Sequence, residues 1–92
     1  AFVVRNGVAL MGKITGSGCM LSATTVAYAV AHADPLEAAV AAVASMGLAG
    51  QVAAGRMGPS DGNGSFRTYL LDALYNQTGA ELAAGALVEE VL

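Results

Sequence analysis

Apolar residues recur every three or four positions in four stretches of the chain, and this spacing predicts four helices. The first spans about residues 19–32 and carries a broad apolar surface, so we expect it to be substantially buried. The others span about residues 35–54, 64–76 and 79–91. Two of these helices begin with clear start signals. Asp34 can cap the second helix, with Pro at its first position, and Thr78 can cap the last.

The chain before the first helix is patterned differently. Residues 1–5 and 8–14 read as short strands, and Asn6-Gly7 between them is typical of a two-residue hairpin turn. Because two antiparallel strands are marginally stable alone, we expect this hairpin, residues 1–14, to extend a sheet whose other strands lie elsewhere. The expected architecture is a β-hairpin followed by about four α-helices.

The composition indicates a small domain with incomplete surface cover. In 92 residues, 55% are hydrophobic and only 12% are charged, which is a sparse supply of charge for a small domain's surface. The sequence starts at Ala1, without an initiator Met, and enters an apolar run at once. We therefore expect that these residues belong to a longer chain and have apolar faces that further chain or a partner covers.

Charge and cysteine usage exclude several classes of function. The net charge is −3 and the four basic residues are scattered, so neither nucleic acid nor an anionic membrane is an expected partner. A single cysteine cannot form an internal disulfide, which favours a reducing compartment, and we expect the cytoplasm. The run from Leu36 to Ala54 approaches membrane-spanning length, but Glu37 and Gln51 interrupt it and most of its apolar residues are small.

The segment with the strongest chemical character is the turn at residues 15–19, Thr-Gly-Ser-Gly-Cys, at the start of the first helix. Gly16 and Gly18 allow a tight turn and close approach of a ligand to the backbone, while the free N–H groups of the helix start favour an anion. Cys19 lies in the positive electrostatic field of the same helix N-terminus, and this field favours a thiolate. A turn without a ligand and a buried, inert cysteine are the structural alternatives.

The wider sequence around this turn resembles hydroxyethylthiazole kinase, a member of the ribokinase-like superfamily. The resemblance covers nearly all of the chain, and it implies that residues 1–92 are the C-terminal portion of a single α/β kinase domain. Asn63 stands where the family more usually has Pro. The motifs that carry the resemblance are Asn6-Gly7, residues 11–22 (MGKITGSGCMLS), residues 62–66 (GNGSF) and residues 71–75 (LDALY).

The resemblance implies a specific reaction and a role for each residue of the turn. Members of the family transfer the γ-phosphoryl group of ATP to the hydroxyl of 4-methyl-5-(2-hydroxyethyl)thiazole, with Mg²⁺. Cys19 corresponds to the catalytic base, where sugar-kinase relatives carry Asp. Gly16 corresponds to a substrate-contacting position, and Gly16, Ser17 and Gly18 supply an anion hole. Metal ligands are expected in upstream chain, none of them here, and a homotrimer is implied.

Two other functions stay open on the sequence alone. One is a non-catalytic module that binds a nucleotide or drives oligomerisation through the same turn; the other is a purely structural helical fragment with Cys19 buried. Lys13 could reach a phosphate from the strand before the turn, but a solvated lysine explains it equally well. Capping is the favoured role for Thr15 and for the Gly-Asn-Gly-Ser run at residues 62–65.

Overall fold

A computed structural model describes residues 2–14 and 16–90. Within them the chain forms four α-helices and a two-stranded antiparallel sheet, so the four helices predicted from the spacing are confirmed. The elements in chain order are β1 (Phe2–Val4), a 3-10 helix (Ala9–Lys13), α1 (Ser17–Ala31), α2 (Pro35–Gly55), α3 (Asn63–Asn76), α4 (Gly79–Gly85) and β2 (Val88–Glu90).

Helix α2 is the centre of the structure and packs mainly against α1 and α3. Its buried positions are small except for Met46, and Met46 joins Phe66 and Leu70 of α3 in the core. By length and composition α2 could also cross a membrane, with a mean hydropathy of 1.5, but half of that stretch is buried inside the chain. The core position of α2 therefore accounts for its apolar composition.

Small residues on α2 let the N-terminal segment lie directly on the helix. A Cβ atom added to Gly47 would stand 2.6 Å from the backbone oxygen of Asn6, which is closer than real Cβ contacts occur. One added to Gly50 would stand 2.5 Å from the sulfur of Met11. Gly47 is therefore needed for close packing against the backbone of Asn6, whereas a side chain at position 50 would displace the flexible Met11 side chain.

The predicted hairpin of residues 1–14 is wrong. Strand β1 pairs with β2, at the other end of the chain, in the register Phe2↔Glu90, Val3↔Glu89 and Val4↔Val88. The segment expected to be the second strand contains the 3-10 helix. Gly7 does turn the chain, with φ at +133°, but the turn leads onto α2 rather than back along β1.

The Asn6 side chain explains this outcome, because its hydrogen bonds reach parts of the chain far from it in sequence. Its Nδ2 donates to Gln51 Oε1 at 2.7 Å and to the carbonyl of Gly85 at 2.9 Å. Its Oδ1 accepts from the N–H of Leu87 at 2.7 Å. Asn6 thus joins the N-terminal segment to α2 and to the chain that leads into β2, and these bonds replace a local hairpin.

The last helix is shorter than predicted. The apolar spacing predicts a helix from 79 to 91, yet α4 ends at Gly85 and residues 88–90 form β2; Val91 lies outside the described residues. A Cβ at Gly85 would stand 2.7 Å from Leu48, so the chain there is packed closely on α2. Pairing with β1 and the bonds to Asn6 then favour an extended chain over another helical turn.

The predicted N-caps of two helices are confirmed. Asp34 caps α2, accepting from the N–H of Leu36 at 2.9 Å, and Pro35 is the first helical residue. Thr78 caps α4 by accepting from the N–H of Glu81 at 3.1 Å. Helix α3 differs: its N-cap is Gly62, which has no side chain with which to cap it. The capping role predicted for residues 62–65 is therefore not realised by a side-chain bond.

Buried polar groups in the core are paired. Ser45 is the buried polar residue of α2, and its Oγ donates to Gln77 Oε1 at 2.5 Å. Gln77 Nε2 in turn donates to the carbonyl of Ser45 at 3.1 Å. This reciprocal pair fixes the C-terminal end of α3 against α2, and so helps to hold α3 in place along its length.

Candidate functional site

The glycine turn forms the N-terminus of α1. Gly16 is the N-cap, with φ at +95° and ψ at 0°, a backbone conformation that residues with a side chain rarely adopt. The first main-chain bond of the helix runs from the N–H of Met20 to the carbonyl of Gly16, at 2.9 Å. The N–H groups of residues 17–19 therefore have no acceptor within the helix and are available to an anion.

Cys19 lies in this first turn, two residues after the helix begins. Its thiol is free and its side chain is exposed, so a ligand at the turn can reach it. The next two residues, Met20 and Leu21, are partly buried and pack against the core cluster. The turn that carries Cys19 is thus anchored to the core from its C-terminal side while its own surface stays open.

The structure brings the predicted site residues together at one helix end. Gly16, Ser17, Gly18 and Cys19 are consecutive in the turn, and a Cβ added to Gly18 would meet no atom within 4 Å. The buried, structural alternative for Cys19 does not hold within these residues, because the side chain is exposed. Thr15, predicted to have a capping role, lies outside the described residues. The chemical roles of the four residues stay predictions.

A groove beside the turn contains two basic side chains. It lies between the end of the 3-10 helix and the start of α3, and opens widely to solvent. The guanidinium of Arg67 is its link to the turn, since a Cβ on Gly16 would lie 3.8 Å from Arg67 Nη2. The residues that line this groove are Lys13, Ile14, Asn63, Gly64 and Arg67.

The donor set of the groove fits an anion and does not fit a metal ion. No carboxylate is among its lining residues, and ammonium and guanidinium groups cannot ligate a cation. Residues 2–14 and 16–90 also contain no group of three or more His, Cys, Asp or Glu side chains that could hold a metal. The Mg²⁺ that the resemblance implies does not fit the residues described here, so we assign no step to it.

The loop before α3 is held by the carboxylate of Asp61, which the sequence pattern does not single out. Asp61 Oδ2 accepts from the N–H of Gly58 at 2.8 Å and from the hydroxyl of Tyr69 at 3.0 Å. The backbone bond from Gly58, then the bond from Tyr69, lower the pKa of Asp61, and the same carboxylate raises the pKa of Tyr69. The guanidinium of Arg56 lies 4.8 Å from the centre of the Tyr69 ring.

This cluster fixes the loop that leads into α3, and the start of α3 forms one wall of the groove. The eight-residue spacing of Asp61 and Tyr69 gives no signal by itself, because Asp61 lies in the loop before α3 and not on the helix. Without a known loop path, the pair could not be told from two unrelated surface residues. The Asp61–Tyr69 cluster therefore positions the groove and does not contact a ligand in it.

Comparison with known proteins identifies the family. The model of the hydroxyethylthiazole kinase family matches residues 1–79. The chain belongs to the hydroxyethylthiazole kinase family. It is 50% identical over 90 residues to a hydroxyethylthiazole kinase of Clostridium acetobutylicum, which covers 97% of this chain and 33% of that protein.

Other relatives give the same result. Hydroxyethylthiazole kinase 2 of Methanosphaera stadtmanae is 45% identical over 76 residues, covering 82% of this chain and 27% of that protein. The hydroxyethylthiazole kinase of Desulforudis audaxviator is 45% identical over 89 residues, covering 97% and 32%. The chain therefore spans about one third of the length of the kinases it matches.

Proposed function

We propose that this chain is the C-terminal third of an α/β, ribokinase-like hydroxyethylthiazole kinase and supplies one wall of its active site. The reaction is transfer of the γ-phosphoryl group of ATP to the hydroxyl of 4-methyl-5-(2-hydroxyethyl)thiazole, a step in thiamin biosynthesis. One observation carries the proposal: in a member of this family, an exposed thiol lies beside three consecutive amides that have no helical acceptor.

The turn can perform two of the tasks that phosphoryl transfer requires. The N–H groups of Ser17, Gly18 and Cys19 point out of the helix start and can stabilise charge on the transferred group. Gly16, which needs no room for a side chain, lets the hydroxyethyl arm of the substrate approach the backbone. The backbone of the turn thus contributes charge stabilisation and positioning, and neither task requires a side chain from the glycines.

Cys19 is suited to the third task, which is to accept the proton of the alcohol. As the alcohol oxygen forms its bond to the γ-phosphorus, the bond from that phosphorus to the β-γ bridging oxygen breaks and ADP leaves. The alcohol proton passes to Sγ of Cys19, which acts as a thiolate and becomes a thiol. In a loose transition state this proton leaves late, so the base contributes less than the positioning of the phosphoryl group.

Substitution of Cys19 tests this proposal in the chain joined to its natural upstream sequence. We expect Cys19→Ala to lower kcat about a hundredfold and leave residual activity, because a general base typically contributes on the order of 10²–10⁴-fold and a proton that leaves late keeps the loss at the lower end of that range. Cys19→Asp should retain or raise kcat, since a carboxylate is a competent acceptor. The assay is thiazole phosphorylation, run beside these 92 residues alone, which we expect to be inactive. A folded but wholly inactive Cys19→Asp protein would count against the base role.

Alkylation of the thiol separates the kinase from the two alternatives. ATP together with the thiazole should slow alkylation of the Cys19 peptide, followed by mass spectrometry. Protection by ATP with no phosphoryl transfer would favour a non-catalytic nucleotide-binding module. Alkylation that neither ligand changes, with no ligand-induced thermal shift, would favour a structural fragment.

The same resemblance extends to the assembly and its location. We propose a cytoplasmic homotrimer for the longer protein, with no nucleic acid or membrane partner. The outward side of α1 supports the need for further cover, because Val26 is 64% exposed and Val30 is 85% exposed. Upstream chain or a second subunit would remove these side chains from water.

A further inference from the structure

The four basic residues of this acidic chain fall into two pairs with different surroundings. Arg5 forms an ion pair with Glu89, Nη2 to Oε2, at 3.0 Å, and Arg56 lies over the ring of Tyr69. Lys13 and Arg67 form no ion pair with any carboxylate of residues 2–14 and 16–90. Arg56 also forms no ion pair but has the Tyr69 ring as a partner, whereas Lys13 and Arg67 line the groove beside the glycine turn.

This arrangement is unusual for a protein of net charge −3, because seven carboxylates were available to pair with four cations. Two cations share one groove, and no acidic side chain lines it. Arg67 is exposed, so no buried partner or packing role explains its position. Concentrated positive charge in a groove attracts an anion of more than one charge.

The position of the groove next to the glycine turn indicates the class of anion that would fit it. Arg67 Nη2 lies 3.8 Å from the position of a Cβ on Gly16, so the guanidinium borders the turn. Lys13 comes three residues before Gly16, on the other wall of the groove. An anion that occupied both the turn and the groove would need several linked negative groups, as a polyphosphate has.

We propose that Arg67, assisted by Lys13, binds the phosphate chain of the nucleoside triphosphate. This inference rests on the proposed function, and it adds residues from α3 and from the 3-10 helix to the predicted turn. The planar guanidinium can donate two parallel hydrogen bonds to one phosphate, whereas the ammonium of Lys13 acts as a point charge. Among the described residues that line the groove, these two are the charged ones.

The test measures nucleotide binding directly, in the longer protein and without the thiazole. Arg67→Gln should raise the Kd for ATP about tenfold to a hundredfold, because it removes a charge-assisted contact. The same variant should leave the Kd for AMP within about twofold, since AMP lacks the phosphates that reach the groove. Arg67→Lys should bind ATP with an intermediate Kd, and Lys13→Gln should weaken ATP binding less than Arg67→Gln. Arg5→Gln is the matched control, because Arg5 is exposed and does not line the groove.

The outcomes distinguish this inference from the proposed function. ATP binding that weakens in Arg67→Gln while AMP binding does not would support the inference, whether or not the thiazole is phosphorylated. An Arg67→Gln protein that binds ATP as the unmodified protein does would overturn it, even if the protein is a working kinase. Equal weakening for ATP and AMP, or no ATP binding by the unmodified protein, would overturn it as well. Failure of thiazole phosphorylation with ATP binding retained would overturn the proposed function alone.

Discussion

Glycines occur in two contrasting settings in this chain. On α2 and at the end of α4, a Cβ on Gly47, Gly50 or Gly85 would collide with a neighbouring segment, so these glycines allow close packing. At the start of α1, a Cβ on Gly18 would meet nothing within 4 Å and one on Gly16 would make an ordinary contact. Packing within these residues explains Gly47, Gly50 and Gly85, whereas it does not explain Gly18.

The contrast separates residues that build the scaffold from residues that the scaffold presents. Packing does not require glycine at position 18, and glycine in a helix costs about 0.8–1.0 kcal/mol relative to alanine. Gly18 differs from the other helical glycines that face open space, such as Gly55 and Gly64, because it lies in the turn that carries Cys19. Close approach of a ligand to the backbone is the reason that our account gives.

Substitution of Gly47 should have the largest effect on stability. A methyl group there would push against the backbone oxygen of Asn6, which a rotamer change cannot relieve. We expect Gly47→Ala to lower the free energy of unfolding by about 3 kcal/mol, at the upper end of ordinary overpacking costs. Gly55→Ala is the control on the same helix, because a Cβ there meets no atom within 4 Å. Chemical denaturation of the longer protein measures both, and equal stabilities would contradict the packing account.

Substitution of Gly16 should affect both stability and activity, with a smaller loss of stability. Its φ of +95° costs a residue with a side chain about 1–2 kcal/mol, so Gly16→Ala should be destabilised by that amount. The strained turn should also misplace the amides of the anion hole, and we expect kcat to fall at least about tenfold, since one such donor contributes about 10²–10³-fold. Denaturation and steady-state kinetics check the two parts. Loss of stability with unchanged kcat would show that the turn is only structural.

Sequence patterns predicted the parts of the structure that local interactions determine. The cap of α2 by Asp34 and the cap of α4 by Thr78 depend on bonds two or three residues away, and both occur. The helical spacing of apolar residues depends on the same local geometry. The turn from Gly16 to Cys19 was predictable for this reason too, because one short segment contains it.

The errors came from interactions between distant segments. Asn6 was expected to turn a hairpin, but its side chain bonds to Gln51 and Gly85, 45 and 79 residues further along the chain. Strand β2 was hidden in a stretch with helical spacing, since its pairing with β1 joins the two ends of the described chain. The approach of Arg67 to Gly16 likewise depends on how α3 packs against α2. A single sequence read in local windows carries none of this information.

The most direct test of the central claim, that the glycine turn at the start of α1 serves a ligand, is the Gly18→Ala substitution in the longer protein, measured for stability and for activity together. We expect the free energy of unfolding to stay the same or to rise by up to about 1 kcal/mol, because the methyl group has space and alanine favours a helix. We expect kcat/KM for ATP to fall about tenfold or more, because the methyl group would stand where the phosphoryl group approaches the backbone. A Gly18→Ala protein that is equally stable and fully active would contradict the account.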